Sequence, residues 1–196
     1  MNKNISNRQS EIIQAAINLI GEGGIQALTI KNLSSKIGVT ESAIYRHFSS
    51  RNEILEKLLD SLKRVISVRF TKIAQSKKSS LEKIKEIVSS QFETFSANPS
   101  YAIVILSDGL YKNEEVLHNR IYAIMELAKA TFLNIIEDGK KSGEIRRDIP
   151  SDQMAFIIMG SARLMVNQWS LSGFKFDLKE KGKSLYDTIC LLIQNK

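Results

Sequence analysis

Cysteine occurs once in the 196 residues, at Cys190, so no disulfide within the chain can hold the fold. A single thiol also suits a reducing compartment. Proline occurs twice, at Pro99 and Pro150, and glycine falls mostly between periodic stretches. Little therefore interrupts a helix once it has started. Histidine is confined to His47 and His118, and neither HxxxH nor CxxC spacing occurs. That removes the usual zinc patterns, so no metal is expected. A Gly-rich phosphate loop is missing, and so is Gly-x-Ser-x-Gly. Without a catalytic constellation, neither an enzyme nor a cofactor is expected. No run of about 18 apolar residues exists, and the opening Met-Asn-Lys-Asn-Ile-Ser has no apolar signal core. The expectation is a cytoplasmic protein with no membrane partner.

What is present is charge, unevenly placed. The net charge is +7, and residues 1–78 carry 13 Lys and Arg against 6 Asp and Glu. Residues 79–196 carry 15 of each kind and are neutral. A basic head on a neutral body is the footprint of a polyanion-binding unit, although uneven composition alone can produce it.

Nearly every segment has helical spacing, and no sustained strand alternation occurs. The fold class is all-α, with about nine helices. Caps mark their starts. Ser6 with Gln9 forms a capping box for a helix to about Ile20, ended by Gly21-Glu22-Gly23-Gly24. Thr29 caps a short helix to Ile37, stopped by Gly38, and Thr40 caps the next, to about Phe48. Ser50 with Glu53 opens a helix to about Ile73, and Ser79 with Glu82 opens one ended by Asn98-Pro99. Further helices are expected over about 100–111, 113–141, 151–171 and 178–194. Residues 1–50 read as one domain and 51–196 as a larger helical body.

Residues 29–51 concentrate the functional signal. Leu33, Ile37, Val39, Ile44 and Phe48 are apolar at positions that pack two short helices together. Ser34 is small enough for close approach, and Gly38 can supply a left-handed turn. The second helix keeps polar residues outside. This is helix-turn-helix geometry, in which the second helix enters the major groove of DNA. Off that core the second helix carries Glu41, Ser42, Ala43, Tyr45, Arg46 and His47; Arg46 can read guanine or hold a phosphate, and Ala43 or Ser42 can meet a thymine methyl. Thr29 and Thr40, with the free amides behind them, suit phosphates, and Lys31 and Arg51 are cationic phosphate candidates. Taken singly, each residue fits a helical hairpin with a solvated face. The joint pattern favours DNA.

The segment resembles the DNA-binding domain of the TetR (TetR/AcrR) family of bacterial transcription regulators. The likeness runs from Ile12-Ile13-Gln14-Ala15-Ala16 through Gly24-Ile25-Gln26-Ala27-Leu28-Thr29-Ile30 to Ile44-Tyr45-Arg46-His47-Phe48 and Arg51-Asn52-Glu53-Ile54-Leu55. It is strong over about residues 6–60. It implies a homodimer on double-stranded DNA at a palindromic operator, usually as a repressor. It further implies phosphate contacts at Thr29, Thr40, Tyr45, His47 and Arg51, and variable base or water contacts at Glu41, Ser42, Ala43 and Arg46. Arg51 stands where Lys is commonest, and Ser34 where Ala is.

In the body, the helices over about 151–172 and 177–194 are the dimer candidates. Met154, Ile157, Ile158, Ala162, Leu164, Met165, Val166 and Trp169 cover much of the first, and Leu185, Ile189, Leu192 and Ile193 line the second. The same residues also fit an intramolecular core. An unknown small-molecule effector is expected among Phe92, Phe95, Tyr101, Leu106, Tyr111, Tyr122, Met125, Met165 and Trp169, although most of these also fit a core, and Arg163 suits either an anionic ligand or a buried carboxylate partner. Two functions follow from the resemblance. One is a ligand-responsive repressor. The alternative is a nucleoid-associated or division-control DNA-binding protein whose body binds a protein.

Overall fold

The computed structural model describes residues 6–107 and 114–195. Among them are nine α-helices: α1 (Asn7–Gly23), α2 (Ile30–Ile37), α3 (Glu41–Tyr45), α4 (Arg51–Ala74), α5 (Ser80–Ala97), α6 (Pro99–Leu106), α7 (Glu115–Ser142), α8 (Ser151–Leu171) and α9 (Leu178–Ile193). A 3₁₀ turn, Ile25–Ala27, lies between α1 and α2. The described residues contain no strand, only an isolated bridge between Ile145 and Gln194. No helix among them is long and apolar enough to cross a membrane.

The caps form as the sequence predicts. Ser6 and Gln9 close a reciprocal capping box on α1, and Ser79 and Glu82 close another on α5. At α4 the same two residue types meet. Ser50 Oγ accepts from the Glu53 amide, and the Glu53 carboxylate reaches one residue further back, accepting the Ser49 N–H at 2.6 Å. Three ends differ from expectation, among them α6, which closes at Leu106, while the expected end near Tyr111 lies outside the described residues. α1 runs through Gly21, Glu22 and Gly23 and stops only where Gly24 turns to φ +71°. Glycine inside a helix weakens it without ending it, whereas a positive φ does end it. α3 stops at Tyr45 because the chain tightens there: the His47 amide bonds Ile44 three residues back, at 2.9 Å.

The chain divides into two compact units, residues 1–63 with 100–122 and residues 64–99 with 123–196. In the first, α1 contacts α2 and the 3₁₀ turn, and α2 contacts α3. Ile12, Ala16, Ile20, Leu28, Leu33, Ile44, Phe48, Ile54 and Leu55 are buried there. Each large apolar side chain so buried contributes roughly 1.5–3 kcal/mol. Arg120 also lies in this unit and bridges Glu56 at 2.9 Å and Asp60 at 3.4 Å.

In the second unit α9 packs on α5 and on α8. Gly182 permits this closeness, because a Cβ there would stand 2.1 Å from the Phe92 ring. The Tyr186 hydroxyl donates to the Leu81 carbonyl at 2.6 Å. Glu144 caps α5 from outside, accepting the amides of Ser80 at 2.7 Å and Leu81 at 3.2 Å. Its own carbonyl accepts from Asn195, so the end of the described chain is tied to the same loop.

Candidate nucleic-acid interface

α2 and α3 pack on each other across a short turn. Gly38 adopts φ +77° and ψ +36°, and its amide closes the end of α2 on the carbonyls of Ser34 and Ser35. Ser34 is buried, and its hydroxyl is satisfied by the Lys31 carbonyl at 2.9 Å. Leu33, Ile44 and Phe48 are buried, while Ile37 and Val39 are half-buried. The inner face of the pair is thus apolar and closed.

The outer face carries Thr29, Lys31, Thr40, Glu41, Ser42, Tyr45 and Arg46, all exposed, with Ala43 and His47 half-buried. Thr29 Oγ1 accepts from the Asn32 amide at 3.0 Å, and Thr40 Oγ1 accepts from the Ala43 amide at 3.3 Å. A capping hydroxyl uses its oxygen on the helix and retains its O–H for an acceptor outside. Thr40 also lies 3.0 Å from the Ser42 hydroxyl. Tyr45 has 52% of its surface exposed, large for an aromatic side chain with no burial to gain. Among the described residues no carboxylate stands within ion-pair distance of Lys31 or Arg46, whereas Lys36 is taken by Glu22 at 2.6 Å and Arg8 by Glu11 at 2.5 Å.

Two further residues brace this face from other elements. Gln9 Nε2 on α1 donates to the His47 carbonyl at 3.3 Å. Arg51 Nη2 on α4 donates to the Ile25 carbonyl at 3.0 Å, and Arg51 is only partly exposed. The capping box marked Gln9 in the sequence, but its second bond spans 38 positions and leaves no local signal. The same holds for the Glu22–Lys36 pair.

The residues expected at an effector site divide between the units. Tyr101, Leu106 and Tyr122 belong to the first, and Phe92, Phe95, Met125, Arg163, Met165 and Trp169 to the second. Tyr111 lies outside the described residues. Phe92 is buried against Gly182, and Trp169 is buried edge-on to Phe174, with ring centroids 4.7 Å apart. Phe95, Tyr101, Leu106, Arg163 and Met165 are half-buried, while Tyr122 and Met125 are exposed. No group of His, Cys, Asp or Glu among the described residues could hold a metal ion.

A helix-turn-helix with a closed inner face and a polar, cationic outer face defines a DNA-binding regulator, and comparison with known proteins agrees. The family described as bacterial regulatory proteins, tetR family, matches residues 12–58, and the C-terminal region of YsiA-like proteins matches residues 58–193. The chain belongs to the tetR family of bacterial transcription regulators. The nucleoid occlusion factor SlmA of Vibrio vulnificus is 25% identical over 176 residues, spanning 89% of this chain and 90% of that protein. Among solved structures, the fatty acid degradation regulator FadR from Bacillus halodurans superposes with a TM-score of 0.85 at 20% identity, covering 96% of this chain and 97% of that one. FadR from Bacillus subtilis in complex with stearoyl-CoA gives 0.81 at 24% identity, covering 94% and 98%. Both structures show the same all-α fold over nearly the whole length. These relatives are named as a nucleoid occlusion factor, a fatty acid degradation regulator and a transcriptional regulator.

Proposed function

We propose that the protein is a ligand-responsive repressor that binds a palindromic operator as a homodimer. The observation that carries this reading is the outer face of α2 and α3, where exposed hydroxyls, Lys31 and Arg46 stand free of internal ion pairs. Thr29, Lys31, Thr40, Tyr45 and His47 are assigned to the DNA backbone, and Glu41, Ser42, Ala43 and Arg46 to the major groove. DNA binding is assigned to residues 1–50, and sensing and dimerisation to residues 51–196.

Dimerisation is assigned to α8 and α9. Phe156, Ile157, Leu164 and Leu171 on α8 are exposed, as are Leu191 and Leu192 on α9. Exposed apolar residues repeated along adjacent helices suit a self-complementary interface. Ile189 and Ile193 are buried within the chain, so α9 would offer a second face to the partner. Leu164→Glu should then turn a dimer into a monomer in sedimentation while leaving helicity intact.

An effector in the body is supported by the stearoyl-CoA that accompanies the Bacillus subtilis relative. The test is selection of duplexes from a random pool by the full chain, followed by titration of the selected duplex with stearoyl-CoA. Palindromic sequences, affinity falling by an order of magnitude or more between low and physiological salt, and release by the thioester are expected. Sequence-indifferent binding would count against the reading. A second reading is favoured by the likeness to SlmA: a DNA-bound factor whose body binds a protein. Retention on the selected duplex at saturating thioester, with capture of a division protein by the DNA-bound form, would favour it.

A further inference from the structure

We infer that Arg51 acts on DNA binding as a positioning residue that sets the entry of α2, and not as a phosphate contact. This rests on the DNA-binding reading above. Its Nη2 donates to the Ile25 carbonyl at 3.0 Å, across from the first residue of α4 to the 3₁₀ turn. Its Nε is buried and has no hydrogen-bond partner. Nε and Nη2 form the side edge of a guanidinium, one of the two edges that can grip a phosphate with two parallel bonds, the other being the Nη1–Nη2 end. In Arg51 that edge is turned into the protein, with one donor on a carbonyl and the other out of reach of solvent.

The carbonyl it holds is a junction. Ile25 oxygen also accepts the Leu28 amide at 3.3 Å, so Arg51 and Leu28 together use both of its lone pairs. Two residues on, the Ala27 carbonyl accepts the Thr29 amide at 3.0 Å and the Asn32 side-chain amide at 2.9 Å. Thr29 then caps α2 through the Asn32 amide. A continuous run of hydrogen bonds therefore leads from Arg51 through the turn to the hydroxyl proposed to meet a phosphate. Lysine, one heavy atom shorter and without a planar fork, does not reproduce this reach.

The experiment uses the full chain and a duplex that the wild type selects from a random pool, with affinity measured by fluorescence anisotropy across a salt series. Arg51→Met should weaken binding about tenfold at every salt concentration and leave the slope of log K against log salt unchanged. Lys31→Met, the reference phosphate contact, should reduce that slope by about 0.9 per protomer. Arg51→Lys should fail to restore affinity. Amide exchange at Leu28 and Thr29 should quicken in both Arg51 variants. A slope reduced by about 0.9 per protomer in Arg51→Met, with rescue by Arg51→Lys, overturns the inference. So does a loss of thermal stability with an unchanged Kd, which marks a purely structural residue. Should Arg51→Met not fold, Arg51→Lys decides alone, since wild-type affinity there means phosphate contact and weakened affinity at an unchanged slope means positioning. Failure of the wild type to show salt-dependent duplex binding overturns the DNA-binding reading itself, whatever the variants do.

Discussion

Gln9 reaches His47: its side-chain nitrogen donates to the His47 carbonyl at 3.3 Å, while its side-chain oxygen accepts the Ser6 amide at 3.0 Å. One amide thus closes the start of α1 and holds the chain just past α3. Gln9→Glu keeps the acceptor for Ser6 and loses the donor for His47. It is expected to leave the thermal midpoint nearly unchanged and to weaken duplex binding several-fold. Gln9→Ala loses both bonds and should cost about 1 kcal/mol of stability as well. Denaturation and anisotropy on the same samples separate the two effects.

Gly38 provides a cleaner test of backbone geometry. It sits in the left-handed region with φ +77°, and a Cβ there would meet nothing within 4 Å. Gly38→Ala therefore pays only the conformational cost, about 1–2 kcal/mol. Gly38→Asn should cost less, since asparagine tolerates this region. A urea midpoint that falls with an unchanged m-value is the expected signature.

Gly182 is the opposite case. Its φ is not in the left-handed region, but a Cβ would stand 2.1 Å from Phe92 Cδ2 in a buried contact. Gly182→Ala should destabilise by about 1–3 kcal/mol through overpacking. Combining it with Phe92→Leu makes room, so the double variant should lose less than the two single losses added together. Strict additivity would show that α5 and α9 do not meet through this pair.

Acid should weaken the second unit through two exposed carboxylates. The Arg146 guanidinium, bonded to Asp148 at 2.5 Å, holds that carboxyl down at about 2 against an ordinary 3.8. Hydrogen bonds from Ser79 lower Glu82 from its ordinary value. A carboxyl whose folded value is depressed stabilises fully above its unfolded value, and that stability is lost as pH falls through the folded one. For Asp148 the window runs from about 4 down to about 2. Asp148→Asn should be less stable than wild type at neutral pH and converge with it at the acid end. Thermal midpoints across that range, at low salt, provide the check.

Much of this was legible in the chain. The caps at Ser6, Thr29, Thr40 and Ser79, the stop at Gly38 and the outward residues of α3 depend on neighbours three or four positions away, and local chemistry specifies them. Family membership followed from the same stretch. What only the tertiary structure decided depends on distant partners. Arg51 reads locally as a cationic phosphate candidate, and nothing nearby in sequence announces that its Nη2 donates to the Ile25 carbonyl, 26 positions earlier. Periodicity marked α9 as apolar without sorting Ile189 and Ile193, which face the chain's own core, from Leu191 and Leu192, which do not. It also passed over Phe156, exposed on α8. Hydrophobicity records that a side chain gains by burial, but only the packed neighbours determine whether this chain or another surface supplies it.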